Sequence, residues 1–313
     1  MAFEPKTQAG IGRIKPVTIG TGEHAITLGG QRVLPFYSFD GPIENPPKLG
    51  VEVADSMEGW DVPGLGALYA GCTTMAQRAQ RAASLEGVDF LCLSFVSADP
   101  NGANRRVEDC VEDAKAVAEA VDLPLAVMGC GNMEKDGVLL TAIAKVLAGR
   151  NILLMSTKNE DYHTLGAPAV REHGQKICAE TADDIDLAKQ LNIMLRGAGV
   201  SGDSVVMNIG TAAVGYGYDY VASILDRIRD AALKQDDADL QMPIIAPVSK
   251  DTWSVKESTA SQEDEPAWGS REERGICMEI ATAAADLTGG ADAVILRHPD
   301  AVAAIRQFIC QLM

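Results

Sequence analysis

From Gly50 onward the chain alternates short, continuously apolar runs with stretches whose apolar positions recur at helical spacing. The apolar runs predict strands over Gly50–Ala54, Phe90–Phe95, Leu125–Gly129, Ile152–Met155, Lys176–Ala179, Ser204–Ile209, Pro243–Val248 and Ala293–Leu296. Continuous rather than alternating apolarity is the mark of parallel strands covered on both faces. Between them, helices are predicted over Thr74–Glu86, Val107–Ala120, Gly137–Ala148, Ala182–Leu195, Tyr220–Leu233 and Arg271–Leu287. The stretch after Tyr162 is a weaker helix because Pro168 interrupts it. Eight strands, each followed by a helix, predict a single (β/α)8 TIM barrel of the α/β class. An open, doubly wound sheet is the alternative, because periodicity does not show closure.

Ahead of the barrel, Val17–Thr21 and Ala25–Leu28 flank a Gly-rich turn and predict a β-hairpin that plugs or flanks the barrel's bottom. Pro35–Pro47 then reads as an extended, Pro-rich connector. Two units follow: residues 1–49, hairpin and connector, and residues 50–313, the barrel. One long loop, Val255–Trp268, is polar and acidic and precedes a capping box formed by Ser270 and Glu273. Such a loop is either a functional excursion on the C-terminal face or a solvated one.

The chain has 313 residues, 47% of them hydrophobic and 23% charged, as a globular protein with a sizeable core requires. Lys and Arg number 27 against 44 Asp and Glu, a net charge of −17. Phosphate backbones and anionic lipid surfaces are repelled by such a balance, so neither nucleic acid nor membrane is an expected partner. Met1–Gly20 lacks the apolar core of a signal peptide, and a cytoplasmic location is expected. Seven cysteines, none in a Cys-x-x-Cys, are scattered from Cys72 to Cys310 and read as reduced thiols without a metal cluster. Cys92, Cys130 and Cys178 fall in apolar runs, where a thiol is a small hydrophobe.

On a barrel, residues just past each strand converge on one face. Here they include Glu52, Asp55, Ser94, Asp99, Asn101, Cys130, Asn132, Lys158, Glu180, Asn208, Thr211, Lys250, Arg297 and His298. They form no recognisable catalytic set: there is no Gly-x-Ser-x-Gly elbow, no His-Glu-x-x-His and no dinucleotide-binding Gly-x-Gly-x-x-Gly after a first strand. A structural role suits His298, which Pro299 follows, better than a catalytic one. Asp161-Tyr-His163-Thr-Leu-Gly166 matches a pattern that presents histidine to a corrinoid cobalt, with the carboxylate fixing the imidazole tautomer. Its place after a fourth strand is wrong for that role, so chance is the better reading. Gly210-Thr-Ala-Ala-Val-Gly-Tyr-Gly-Tyr218 and Gly129-Cys-Gly-Asn132 are small and backbone-exposing. They suit a face that receives something broad and flat. On strand-end position, Asn132, Asn208, Thr211, Gly215, Tyr216, Gly217 and Arg297 are the candidate cofactor-binding residues, and no catalytic or metal-ligating residue is assigned.

Several segments together resemble a known family. They are Leu34-Pro-Phe with Phe39-Asp-Gly, Gly50-Val-Glu-Val, Ala98-Asp-Pro-Asn-Gly-Ala-Asn, Gly129-Cys-Gly with Glu134-Lys-Asp, Lys189-Gln-Leu-Asn-Ile, Gly215-Tyr-Gly, Pro266-Ala-Trp-Gly with Glu273-Arg-Gly-Ile, and Arg297-His-Pro-Asp-Ala-Val. In this order the chain resembles, nearly end to end, the small subunit of the corrinoid iron–sulfur protein, the delta subunit of acetyl-CoA decarbonylase/synthase. The resemblance implies a heterodimeric methyl carrier of the reductive acetyl-CoA (Wood–Ljungdahl) pathway. Its large subunit would hold a [4Fe–4S] cluster and a mobile cobalamin domain resting against this barrel, the cobalamin lying at the interface. The implied further partners are the methyltetrahydrofolate methyltransferase and CO dehydrogenase/acetyl-CoA synthase. That family carries cobalamin without a histidine ligand, which again disfavours His163. Two other readings stand beside it: a pterin-dependent methyltransferase binding methyltetrahydrofolate on the same face, and a purely structural scaffold.

Overall fold

The computed structural model describes residues 6–7, 10–182, 184–210 and 217–313. Eight parallel strands form one sheet: β3 (Lys48–Ala54), β4 (Phe90–Ser94), β5 (Leu125–Met128), β6 (Leu153–Thr157), β7 (Lys176–Glu180), β8 (Val205–Asn208), β9 (Ile245–Ala246) and β10 (Ala293–Leu296). Neighbours in space are neighbours in sequence, and β10 returns to pair with β3. Between β8 and β9 the ring is closed by a single bridge, Met207 to Ile244, where the Met207 N–H donates to the Pro243 carbonyl at 2.8 Å. The sheet is therefore a barrel rather than an open doubly wound one. Its seventh strand is shorter than Pro243–Val248 because Val248 already begins a helix.

Side chains alternate along each strand. Leu49, Val51, Leu91, Leu93, Val127, Leu154, Ile177 and Val294 point outward into the main core under the helices. Cys92, Ala126, Leu153, Cys178, Val206 and Ile295 point inward. The hairpin of β1 (Val17–Ile19) and β2 (Ile26–Leu28) adds Val17, Ile19, Ile26 and Leu28 to this inner cluster and stops the barrel's bottom. Asn151, just before β6, ties it there by donating to the carbonyls of Thr18 and Gly20 at 2.8 and 3.0 Å. Gly50 is needed beside this plug, since any side chain there would overlap the Phe90 ring. Cys92 and Cys178 behave as buried apolar groups, and burial pushes both thiols well above their ordinary range.

The surrounding helices are α1 (Pro63–Leu68), α2 (Met75–Ala83), α3 (Val107–Ala120), α4 (Met133–Val146), α5 (Ala167–His173), α6 (Ile185–Gly197), α7 (Tyr218–Lys234), α8 (Val248–Thr252), α9 (Lys256–Thr259), α10 (Arg271–Gly289) and α11 (Pro299–Leu312). Thr74 closes a capping box with Gln77 on α2, and Ser270 caps α10. Pro168 does not break α5: it sits in the first turn, where a missing N–H costs nothing. The acidic loop after β9 is not featureless. It holds α9 and a tight turn, Pro266–Trp268, where Lys256 and Arg274 flank the Trp268 ring at 5.1 and 5.6 Å. No helix among the described residues is long and apolar enough to cross a membrane.

Candidate functional site

At the C-terminal ends of the strands the inner layer turns polar. A cavity of about 340 Å³ opens there, with Glu52, Trp60, Lys158, Glu180, Lys250 and Arg297 in its wall. Glu52 continues the inward row of β3 beyond Gly50, and Arg297 follows β10, the next strand round the ring. The Arg297 guanidinium donates to Glu52 Oε2 through Nε and Nη2 at 3.2 and 3.0 Å, both side chains being buried. Its flat face lies over the Trp60 indole, with Cζ 4.2 Å from the ring centroid. A buried charge pair of this kind is tolerated because each charge is partnered.

Across the mouth, Glu180 gathers three donors. Ser156 donates its hydroxyl to Oε2, Asn208 Nδ2 reaches the same oxygen at 3.4 Å, and Lys158 Nζ lies 3.1 Å from Oε1. Ser156 is turned toward Glu180 by a bulge: Met155 pairs with Cys178 and Thr157 with Ala179, leaving Ser156 without a partner in the ladder. Burial alone would raise the Glu180 carboxyl, but Ser156, Lys158 and Lys250 outweigh it and its pKa is lowered. Glu180 is thus a fixed anion facing the cavity.

Two loops frame the opening. After β5, Asp136 of α4 accepts the backbone N–H groups of Cys130 and Gly131 at 2.7 and 2.8 Å and the Cys130 thiol at 3.2 Å. Gly129 lets the carboxylate approach, for a side chain there would overlap it. Burial, with Asp136 adding to it, pushes the Cys130 thiol up to about 11. After β4, Asp55 accepts the backbone N–H and hydroxyl of Ser97, holding the Ser97–Asn104 loop against β3. Exposed Val96 and Met133 stand at the rim.

A larger groove, about 690 Å³, lies on the outside between the connector and helices α6 and α7. Two of its lysines are paired within it, Lys189 with Asp237 at 2.5 Å and Lys234 with Asp230 at 2.9 Å. No strand end reaches it, so the mouth is the better candidate. His163 is exposed on a π-helical turn, Tyr162–Gly166, its ring against Tyr162 at 4.1 Å. Asp161 accepts the Lys158 N–H at 2.7 Å instead of orienting the imidazole, so the carboxylate–histidine pairing of a ligating motif is not made.

The family model described as CO dehydrogenase/acetyl-CoA synthase delta subunit matches residues 16–305. The chain belongs to that family. It is 33% identical to the acetyl-CoA decarbonylase/synthase complex subunit delta of Archaeoglobus fulgidus, an alignment covering 97% of this chain and 70% of that protein. With subunit delta 2 of Methanosarcina acetivorans it shares 30% identity, over 90% of this chain and 65% of the other. The chain therefore spans about two thirds of the length of these relatives. Among solved structures, dihydropteroate synthase of Xanthomonas albilineans with 4-aminobenzoic acid superposes with a TM-score of 0.57 at 15% identity, covering 85% of this chain and 93% of that one. The Coxiella burnetii enzyme in complex with pteroic acid gives 0.56 at 11% identity, over 86% and 94%. At these identities the likeness is one of fold.

Within the delta-subunit chain, the residues picked from strand-end position have separate fates. Arg297 lines the mouth, bonded to Glu52, whereas buried Asn208 stands behind it and reaches it only through Glu180. Asn132 stands beside the opening, but its Oδ1 caps α4 by accepting the Lys135 N–H at 3.1 Å. Gly217 precedes α7 with a φ of 106°, a conformation that favours glycine. Thr211, Gly215 and Tyr216 lie outside the described residues. His298 is a cap: its Nδ1 accepts the Asp300 N–H at 3.2 Å and its Nε2 lies 3.1 Å from Glu272.

Trp60, Ser156 and Glu279 are not singled out by the sequence, and Asp136 enters there only as the end of the Glu134-Lys-Asp segment. Glu279 left a legible signal: on α10 it shares a buried face with Gly275, Thr282, Ala283 and Asp286, a carboxylate at helical core spacing. Trp60 left one too, as the large aromatic of a short loop following a strand end.

Proposed function

We propose that this chain is the barrel subunit of a corrinoid methyl carrier, receiving the cobalamin-bearing domain of a larger iron–sulfur subunit across its mouth. The observation that carries this reading is the make-up of the mouth: a flat Arg297–Trp60 platform, a fixed Glu180 anion and backbone-rich loops around a shallow cavity. A corrin macrocycle is too large for about 340 Å³ and would lie across the opening. Its peripheral amides would find donors in Lys158 and Lys250 and backbone groups at Gly129–Gly131, while Val96 and Met133 cover its apolar edge. Among the described residues no histidine lines the cavity, so the residues present fit covering rather than ligating. When bound, cobalamin supplies the nucleophilic cobalt that accepts and donates a methyl group. What this chain does is exclude water from that face and fix the partner's resting pose. The methyl donor would be methyltetrahydrofolate through its methyltransferase, and the acceptor CO dehydrogenase/acetyl-CoA synthase. The [4Fe–4S] cluster would belong to the large subunit.

Tagging this chain alone, co-expressing it with a corrinoid iron–sulfur large subunit and recording the visible spectrum tests the reading. A one-to-one complex with corrin absorption, colourless when the chain is purified alone, supports it. A chain that never retains the corrinoid protein overturns it.

A second reading, pterin binding by the barrel itself, is favoured by the cavity's size, which suits a small heterocycle, and by the pteroic acid held in the Coxiella barrel. Calorimetric titration of methyltetrahydrofolate into the isolated chain decides it: saturable binding supports it and none excludes it.

A further inference from the structure

Trp60 follows β3 and Arg297 follows β10, both beyond Val51 and Leu296, where the ladder between these strands ends. Their stack is braced from outside by one helix. Arg271, the first residue of α10, holds the residues on either side of Trp60: Nη1 lies 2.9 Å from Asp61 Oδ1 and Nη2 donates to the Gly59 carbonyl at 3.4 Å. Glu272 accepts the Gly64 N–H at 2.5 Å. Two turns on, Glu279 accepts the backbone N–H groups of Arg297 and His298, at 2.5 Å on Oε1 and 3.1 Å on Oε2.

We propose that Glu279 is the positioning residue of the barrel mouth: through these two N–H groups it holds the Arg297 guanidinium over Trp60, in the pose that receives the docked partner. The proposal rests on the docking reading of the mouth. Glu279 is fully buried, and burying a carboxylate is costly unless its oxygens are used. Accepting two consecutive N–H groups occupies both oxygens as acceptors, and a protonated acid would turn an O–H toward one of those donors. Burial pushes the Glu279 carboxyl up to about 7, against the pull of the His298 and Arg297 N–H groups, the Arg297 charge and the Trp253 side chain. The groups facing it are Arg297 and His298 from the end of β10, with Glu52 of β3 behind Arg297. From α10 itself Glu272 meets the far side of His298, whose ring stacks on the uncharged Trp253 indole at 6.2 Å. Below about pH 7 one clamp is lost and the guanidinium is less well held, so docking weakens as pH falls.

The test is calorimetric titration of the chain with the cobalamin-loaded large subunit from about pH 6 to about pH 8.5, for wild type and Glu279→Gln. Wild-type affinity is expected to fall several-fold toward the acidic end, with Glu279→Gln at the acidic value throughout. A wild-type profile that is flat and matches Glu279→Gln overturns the proposal. If Glu279→Gln does not fold, Glu279→Asp, whose shorter reach keeps one N–H, takes its place and is expected to be intermediate. A second readout needs no partner: Trp60 fluorescence in a Trp268→Phe background, taken as the difference from the same background carrying Trp60→Phe so that Trp253 beside Glu279 is kept, followed against pH. A transition near pH 7 that Glu279→Gln abolishes supports the positioning role even where no complex forms, in which case the docking reading alone has failed. No Glu279-dependent transition overturns the role itself.

Discussion

Arg297 lies over Trp60 with its Cζ 4.2 Å from the indole centroid, while the same guanidinium donates to Glu52 Oε2 at 3.0 Å. The cation is thus held on one face by a π-system and at its edge by a carboxylate. Removing it strands Glu52, which is buried inside the barrel. Arg297→Ala is expected to destabilise the chain by about 3–5 kcal/mol in urea denaturation, the cost of breaking a buried pair. Adding Glu52→Gln should recover part of that loss. A double variant no more stable than the single one would contradict the pairing.

Asp136 organises the loop after β5, and its loss is expected to free that loop without unfolding the barrel. With its thiol pushed up to about 11, Cys130 should alkylate slowly at mildly alkaline pH, well behind exposed Cys277 and Cys310. Asp136→Asn should accelerate Cys130 several-fold, as read by mass spectrometry of iodoacetamide-treated protein. Unchanged reactivity would mean that Asp136 does not hold the loop.

Gly50 and Phe90 are a matched pair at the bottom of the barrel. Gly50→Ala should cost about 1–3 kcal/mol through overpacking. Phe90→Leu, destabilising alone, should partly relieve it, so the two costs will be less than additive in a double-mutant cycle.

Half-buried Glu180 and buried Glu279 give opposite pH dependences. The Glu180 pKa is lowered in the fold, so its stabilisation is present above the unfolded carboxyl range and lost as pH falls through the folded value. Glu279 is raised from 4.5 to about 7, so the folded state holds its proton more tightly. Its contribution is greatest below pH 4.5 and declines as pH rises to about 7, by up to about 3 kcal/mol. Denaturation of Glu279→Gln across that range should lack the decline, and Glu180→Gln should lack the acid-side loss. A Glu279→Gln curve parallel to wild type would contradict the raised pKa.

The barrel was legible because its signals are local. Continuous apolar runs at regular intervals, from Leu125–Met128 to Ala293–Leu296, state their own burial, and Val107–Ala120 falls where its apolar face predicts. Closure was not legible, since it depends on one bridge between Met207 and Ile244, which no periodicity encodes. Strand ends pointed to Arg297, Asn208, Glu52, Glu180 and Lys250, because a barrel delivers such positions to one face. Which of them meet depends on the bulge at Ser156 and on contacts such as Glu52–Arg297, 245 residues apart. Asn132 illustrates the ambiguity from the other side: an asparagine ahead of a helix serves equally as ligand or cap, and here its oxygen is spent on Lys135.

The most direct measurement on the central claim is hydrogen exchange of the chain alone and in complex with its corrinoid large subunit. Protection is expected over the mouth, in the loops around Val96–Asn104 and Gly129–Met133 and the segment Lys250–Trp268. Protection confined to the outer groove between the connector and helices α6 and α7, with the mouth loops unchanged, would contradict it.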